Sequence, residues 1–108
     1  MSNRIEDLEI YNFADSFANK IWLVVLEWDY FSKDTVGKQI VRSADSISAN
    51  IAEGFGRFYY KENKNFCYFS RVSLIETKEW LNKCKVRNLI SEEKYHELIK
   101  ELETSITN

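Results

Sequence analysis

The chain has no proline and three glycines in 108 residues, and that scarcity constrains its fold more than any other feature. Proline and glycine punctuate turns and sheets, so a chain nearly without them has few places to reverse direction and must spend most of its length in uninterrupted elements. Leu, Ile, Glu and Lys fill those elements, which favours helix. The expected class is all-α.

Apolar spacing divides the chain into four helices, at about 7–30, 36–55, 61–87 and 91–107. In the first, Tyr11, Ala14, Phe17 or Ala18, Ile21, Val24 or Val25, and Trp28 recur at steps of three and four. Phe31-Ser32-Lys33-Asp34 breaks the pattern and offers Ser32 or Asp34 as a cap. The second helix places Val36, Ile40, Ala44, Ile47 and Ile51 in one seam, and Gly54 with Gly56 ends it through a left-handed glycine cap. The third is apolar over a wide arc, with Phe66, Phe69, Ser73 and Trp80 on one line and Tyr68, Val72 and Ile75 on another. Ser91 before Glu92 and Glu93 caps the fourth, which turns Tyr95, Leu98, Leu102 and Ile106 inward.

Long helices joined by short loops favour antiparallel neighbours, so the expected architecture is an antiparallel up-down four-helix bundle. A hydrophobic content of 44% over this length supplies one core, hence a single domain over 1–108. The longest aliphatic run, Ile21 to Leu26, is far short of the ~20 residues that span a membrane. With no signal-like start, a cytoplasmic protein without membrane contact is expected.

Polar residues interrupt the second helix in an ordered way. Gln39, Arg42, Ser43, Ser46, Asn50 and Glu53 fall at three- and four-residue steps beside the apolar seam. Ser, Asn and Gln are poor helix fillers, so the stripe is either a solvated face or a hydrogen-bonded network at a helix or subunit interface. Glu53 would suit a neighbouring arginine.

The net charge of −2 hides an uneven distribution. Residues 1–31 carry 2 Lys/Arg against 6 Asp/Glu, residues 54–87 carry 8 against 3, and residues 88–108 carry 2 against 5. Within the basic segment Arg57, Lys64, Arg71, Lys78 and Lys85 recur every seven residues, with Lys61 nearby, and Tyr68, Leu74, Ile75 and Leu81 rather than acids flank them. Such a row is balanced by another helix, another subunit or a polyanion. Residues 55–69 hold Phe55, Phe58, Tyr59, Tyr60, Phe66, Tyr68 and Phe69 among these cations, a mixture that suits core or interface packing and also stacking on unpaired bases.

Catalytic patterns are weak. Glu93 and His96 match half of a di-iron Glu-x-x-His step, but His96 is the chain's one histidine, so no metal and no cofactor is expected. Gly54-Phe55-Gly56 follows a helix and lacks the Lys-Ser or Lys-Thr of a phosphate loop. Cys67 and Cys84 lie on one helix at ~1.5 Å per residue, roughly 25 Å apart. Disulfide bonding wants ~7 Å or less, so both are expected as reduced thiols. The expectation is a protein that is not an enzyme.

The segment "QIVRSADSISANIAEGFGR" resembles the signature of the four-helix-bundle proteins encoded by intervening sequences of bacterial 23S rRNA genes, with Gln39, Arg42, Ser46, Asn50, Ile51, Glu53, Gly54 and Arg57 at the pattern's positions. "FSRVSLIE", ending at Glu76, resembles a second block. The chain departs from that block at Ser70 and Val72, where a small residue and glycine are usual, and at Arg87 and Asn88, where Gly-Tyr is usual. The resemblance implies a homopentameric ring without catalytic residues, similar to the accessory variability determinant of diversity-generating retroelements. It therefore implies nucleic-acid binding, RNA before DNA, through Arg57, Lys61, Lys64, Arg71, Lys78 and Lys85, with a reverse transcriptase as a protein partner. A structural or protein-interaction oligomer is the alternative.

Overall fold

Four helices carry the architecture: α1 (Arg4–Leu26), α2 (Lys38–Phe55), α3 (Tyr60–Val86) and α4 (Glu92–Ser105). The computed structural model describes residues 4–55 and 60–105, and side chains over 8–54 and 68–103. No strand occurs among the described residues. α2 packs on α1 and α3, and α4 packs on α3 and α1, so α1 and α3 stand diagonally across one compact, all-helical domain measuring 43 × 24 × 18 Å.

α1 buries Ala14, Phe17, Ala18, Ile21 and Val25, a single stripe at helical spacing. The helix stops at Leu26, earlier than the spacing suggested, because Asp29 takes an extended backbone with ψ at 165°. Its carboxylate accepts from the Ser32 amide at 3.2 Å and the Ser32 hydroxyl at 2.6 Å. The cap is thus Asp29, in place of Ser32 or Asp34, and the Ser32 hydrogen bond holds the Asp29 carboxyl below the usual carboxylate range.

A short helical turn, Tyr30–Ser32, and a π-helical segment, Lys33–Gly37, lead into α2. Gly37 is buried against the end of α1: a β-carbon there would stand 2.8 Å from Val25 Cγ1 and 3.2 Å from the Ser32 carbonyl oxygen. Only a residue without a side chain lets the two segments approach this closely.

α2 buries Ile40, Ser43, Ala44, Ile47 and Ser48, and Ile51 packs at the core's edge. Gly54 is buried one residue inside the end of α2, and its backbone is not left-handed, which corrects the glycine cap expected there; Gly56 lies outside the described residues.

Among the described residues the left-handed one is Asn88, with φ at 60°. The Leu89 amide donates to the Cys84 carbonyl at 2.8 Å and the Asn88 amide to the Lys85 carbonyl at 3.1 Å, which closes α3 in a Schellman motif. Asn tolerates this conformation better than other residues with a β-carbon, which is how the chain does without glycine at this turn. Ser91 then caps α4 by accepting from the Lys94 amide at 3.0 Å. Leu98 and Leu102 of α4 are fully buried, and Ile106 lies outside the described residues.

α3 leaves part of its wide apolar arc uncovered. Its buried line is Ser70, Ser73, Leu74, Thr77, Leu81 and Cys84, while Tyr68, Phe69, Val72 and Ile75 are exposed and Trp80 is half-buried. Burial pushes the Cys84 thiol up to about 11, so it stays protonated and unreactive near neutral pH. The Cys67 side chain lies outside the described residues.

Candidate assembly and nucleic-acid interface

The α2–α3 contact is built from small hydroxyl residues. Thr77 Oγ1 lies 2.9 Å from Ser43 Oγ and 2.7 Å from the Ser73 carbonyl oxygen, and Ser43 Oγ lies 3.1 Å from the Ile40 carbonyl oxygen. Each hydroxyl has one proton. Thr77 therefore either donates to Ser73 while receiving from Ser43, or donates to Ser43 while Ser43 donates to Ile40. Below this pair, the Ser70 hydroxyl donates to the Ile47 carbonyl at 3.0 Å across the same contact. No buried side-chain polar atom among the described residues is left without a partner. Small side chains bring the backbones close, and their hydroxyls bond each other or the nearby carbonyls.

Apart from Ser43, the polar stripe lies beside this network, nearer the surface. The Ser46 hydroxyl donates to the Arg42 carbonyl at 2.8 Å, and the Asn50 amide donates to the Ser46 carbonyl at 2.7 Å, both within α2. Gln39, Ser46 and Asn50 are half-buried, and Arg42 and Glu53 are exposed. Ser43, one of the polar residues at this spacing, forms a bond between the helices. Its partner Thr77, and Ser70 beside it, were not singled out for this role. The signal for them was present: Ser70, Ser73 and Thr77 recur at steps of three and four in a helix otherwise filled with large and charged residues.

Two cations of the heptad, Lys78 and Lys85, meet α4. Lys78 pairs with Glu103 at 3.5 Å, and the Lys85 ammonium stands 4.3 Å from the centre of the Tyr95 ring. Arg71 is exposed. Arg57 and the side chains of Lys61 and Lys64 lie outside the described residues, as do the side chains of Phe55, Phe58, Tyr59, Tyr60 and Phe66. Next to Arg71 in sequence, Tyr68 and Phe69 meet edge to face at 5.7 Å with both rings exposed. α4 is also tied to α1, where Lys20 reaches both carboxylate oxygens of Glu101 at 3.0 and 3.1 Å.

His96 Nε2 lies 3.8 Å from Glu92 on the exposed side of α4. Among the described residues no three His, Cys, Asp or Glu side chains gather as a metal site, and no helix is long and apolar enough to cross a membrane. Asp45, on the α1 side of α2, has its carboxyl pushed above the usual range by burial and then by the charge of Asp15 on α1.

These features define a class, an all-helical four-helix domain whose interior is knit by hydroxyls and whose third helix turns aromatic and aliphatic residues outward. Residues 6–107 match the family described as 23S rRNA-intervening sequence protein, and the chain belongs to that family. The fold is similar to that of a crystal structure from Bacteroides thetaiotaomicron VPI-5482, a protein with unknown function from the S23 ribosomal protein family. The two share 22% identity with a TM-score of 0.83, over 94% of this chain and 92% of that one. No curated protein matches the chain.

Proposed function

We propose that this chain is a non-enzymatic accessory protein that assembles with copies of itself and binds nucleic acid, RNA in preference to DNA. The observation that carries the reading is the exposed group Tyr68, Phe69 and Arg71 on α3. Exposed rings suit stacking on unpaired bases, and a guanidinium beside them suits phosphate. Arg57, Lys61 and Lys64 belong to the same stretch of sequence and extend the contact. Lys78 and Lys85, already engaged by α4, contribute less.

Self-assembly is supported by the apolar face that α3 leaves uncovered. In this reading the helices run up and down as an antiparallel bundle, five copies close a ring, and the ring works in the cytoplasm with a reverse transcriptase as a protein partner. A structural oligomer without a nucleic-acid ligand is the second reading, and it is favoured by Glu103, which balances Lys78, and by the Tyr95 ring, which holds Lys85 within the chain.

Fluorescence anisotropy of a structured RNA, with wild type and Arg71→Glu compared at low salt, separates the two readings. The first predicts weaker binding by the variant at unchanged assembly mass, because one rim charge contributes only ~0–1 kcal/mol to a protein contact. Loss of assembly without any RNA binding by the wild type supports the second.

A further inference from the structure

Of the two cations of α3 that meet α4, one is neutralised and the other is not. The Lys78 ammonium faces the Glu103 carboxylate at 3.5 Å, so their charges cancel. The Lys85 ammonium stands 4.3 Å from the centre of the Tyr95 ring, which attracts it through the ring's quadrupole and leaves its net charge intact. Lys78 follows the exposed Arg71 by seven residues, which puts the two on one side of α3, about 10 Å apart along its axis.

The Lys78–Glu103 pair is loose. Its 3.5 Å separation exceeds the roughly 2.7–2.9 Å of a close charged hydrogen bond, and the two side chains are 31% and 56% exposed, so water competes at both ends. Glu103 sits in the last turn of α4, where the negative end of the helix disfavours an acid, so its own helix gives it no support. The backbone at this end is fixed by other contacts: Leu102 is fully buried, and the Lys20 ammonium donates to both oxygens of Glu101 at 3.0 and 3.1 Å. A side-chain rotation of Glu103 therefore frees Lys78 while α4 stays in place.

We infer that Glu103 is a built-in competitor for phosphate, which occupies Lys78 in the free protein and yields it to a ligand that also holds Arg71. A lone anion meets Lys78 already neutralised. A strand anchored at Arg71 presents a further phosphate to Lys78 at high effective concentration, and Glu103 turns out to water. The inference rests on the nucleic-acid reading proposed above and deepens it: α4 sets how densely charged a ligand must be to bind α3.

Fluorescence anisotropy of a structured RNA at low salt tests this with wild type, Glu103→Gln, Lys78→Gln and the double variant. Neither side chain is part of the core, so circular dichroism should stay near wild type; Glu103→Ala replaces Glu103→Gln if that variant fails to fold. Glu103→Gln should bind about two- to five-fold more tightly than wild type, the range set by loss of an exposed ion pair. The gain should shrink in the Lys78→Gln background, because the cation for which Glu103 competes is gone. Equal affinity of wild type and Glu103→Gln, or a gain that is as large without Lys78 and so reflects plain repulsion by an acid, overturns the competition and leaves the nucleic-acid reading standing. No binding by any of the four proteins overturns that reading and the inference with it.

Discussion

The hydroxyl of Thr77 lies 2.9 Å from that of Ser43, a residue 34 positions earlier, and both are buried where α2 meets α3. A buried hydroxyl is tolerated only when bonded, and this pair bonds across the interface with one proton and back onto one of its own helices with the other.

Thr77→Val keeps the shape and removes the hydroxyl, and it should cost about 1 kcal/mol in urea unfolding. Ser43 retains the Ile40 carbonyl as acceptor, which limits the loss. In a double-mutant cycle with Ser43→Ala the two changes should couple by at least ~0.5 kcal/mol, as groups in direct contact do. Strict additivity would show that the bond does not stabilise the fold.

Gly37→Ala should destabilise the protein by ~1–3 kcal/mol, the range for forcing a methyl into a filled site. The added β-carbon would meet Val25 Cγ1 at 2.8 Å, so the connector must lift from α1 or the valine must turn. Thermal melting checks this, and an unchanged melting temperature would mean that the contact relaxes without cost.

Asp45 gives a pH dependence with a definite sign. Folding raises the Asp45 carboxyl above its ordinary value of 3.8, so the folded state favours the protonated acid. The resulting stability is present at low pH and is lost as pH rises through the raised value. Asp45→Asn removes the cost of burying the charge and the repulsion by Asp15, and should be the more stable protein at pH 7. The advantage should shrink in unfolding curves measured below pH 4. An equal difference at both pH values would contradict the assignment.

Much of the fold was legible because its signals are local. The α1 stripe from Ala14 to Val25 and the Ser91 cap are matters of spacing and residue type within a few turns. The face that α3 buries was not legible in the same way. Hydrophobicity points to Tyr68, Val72 and Ile75, yet these face outward, and the contact with α2 is made by Ser70, Ser73 and Thr77. A helix pair held by small hydroxyl residues looks polar in sequence until the partner helix supplies the acceptors. The caps show the same limit: Asp29 and Asn88 act through backbone conformations that residue type alone allows but does not compel. For the candidate site, Arg71 and its neighbouring rings could be picked out from charge and aromatic clustering. The capture of Lys78 and Lys85 by α4 depends on tertiary placement that a heptad count does not contain.

The most direct test of the account is the affinity of the wild-type protein for a structured RNA across a salt series. Phosphate contacts release counterions, so log K should fall linearly with log salt, by about 0.7 to 0.9 for each phosphate neutralised. The account predicts binding at low salt and a slope corresponding to several contacts, reduced by about one in Arg71→Glu. No binding at low salt, or an affinity that does not change with salt, would contradict it.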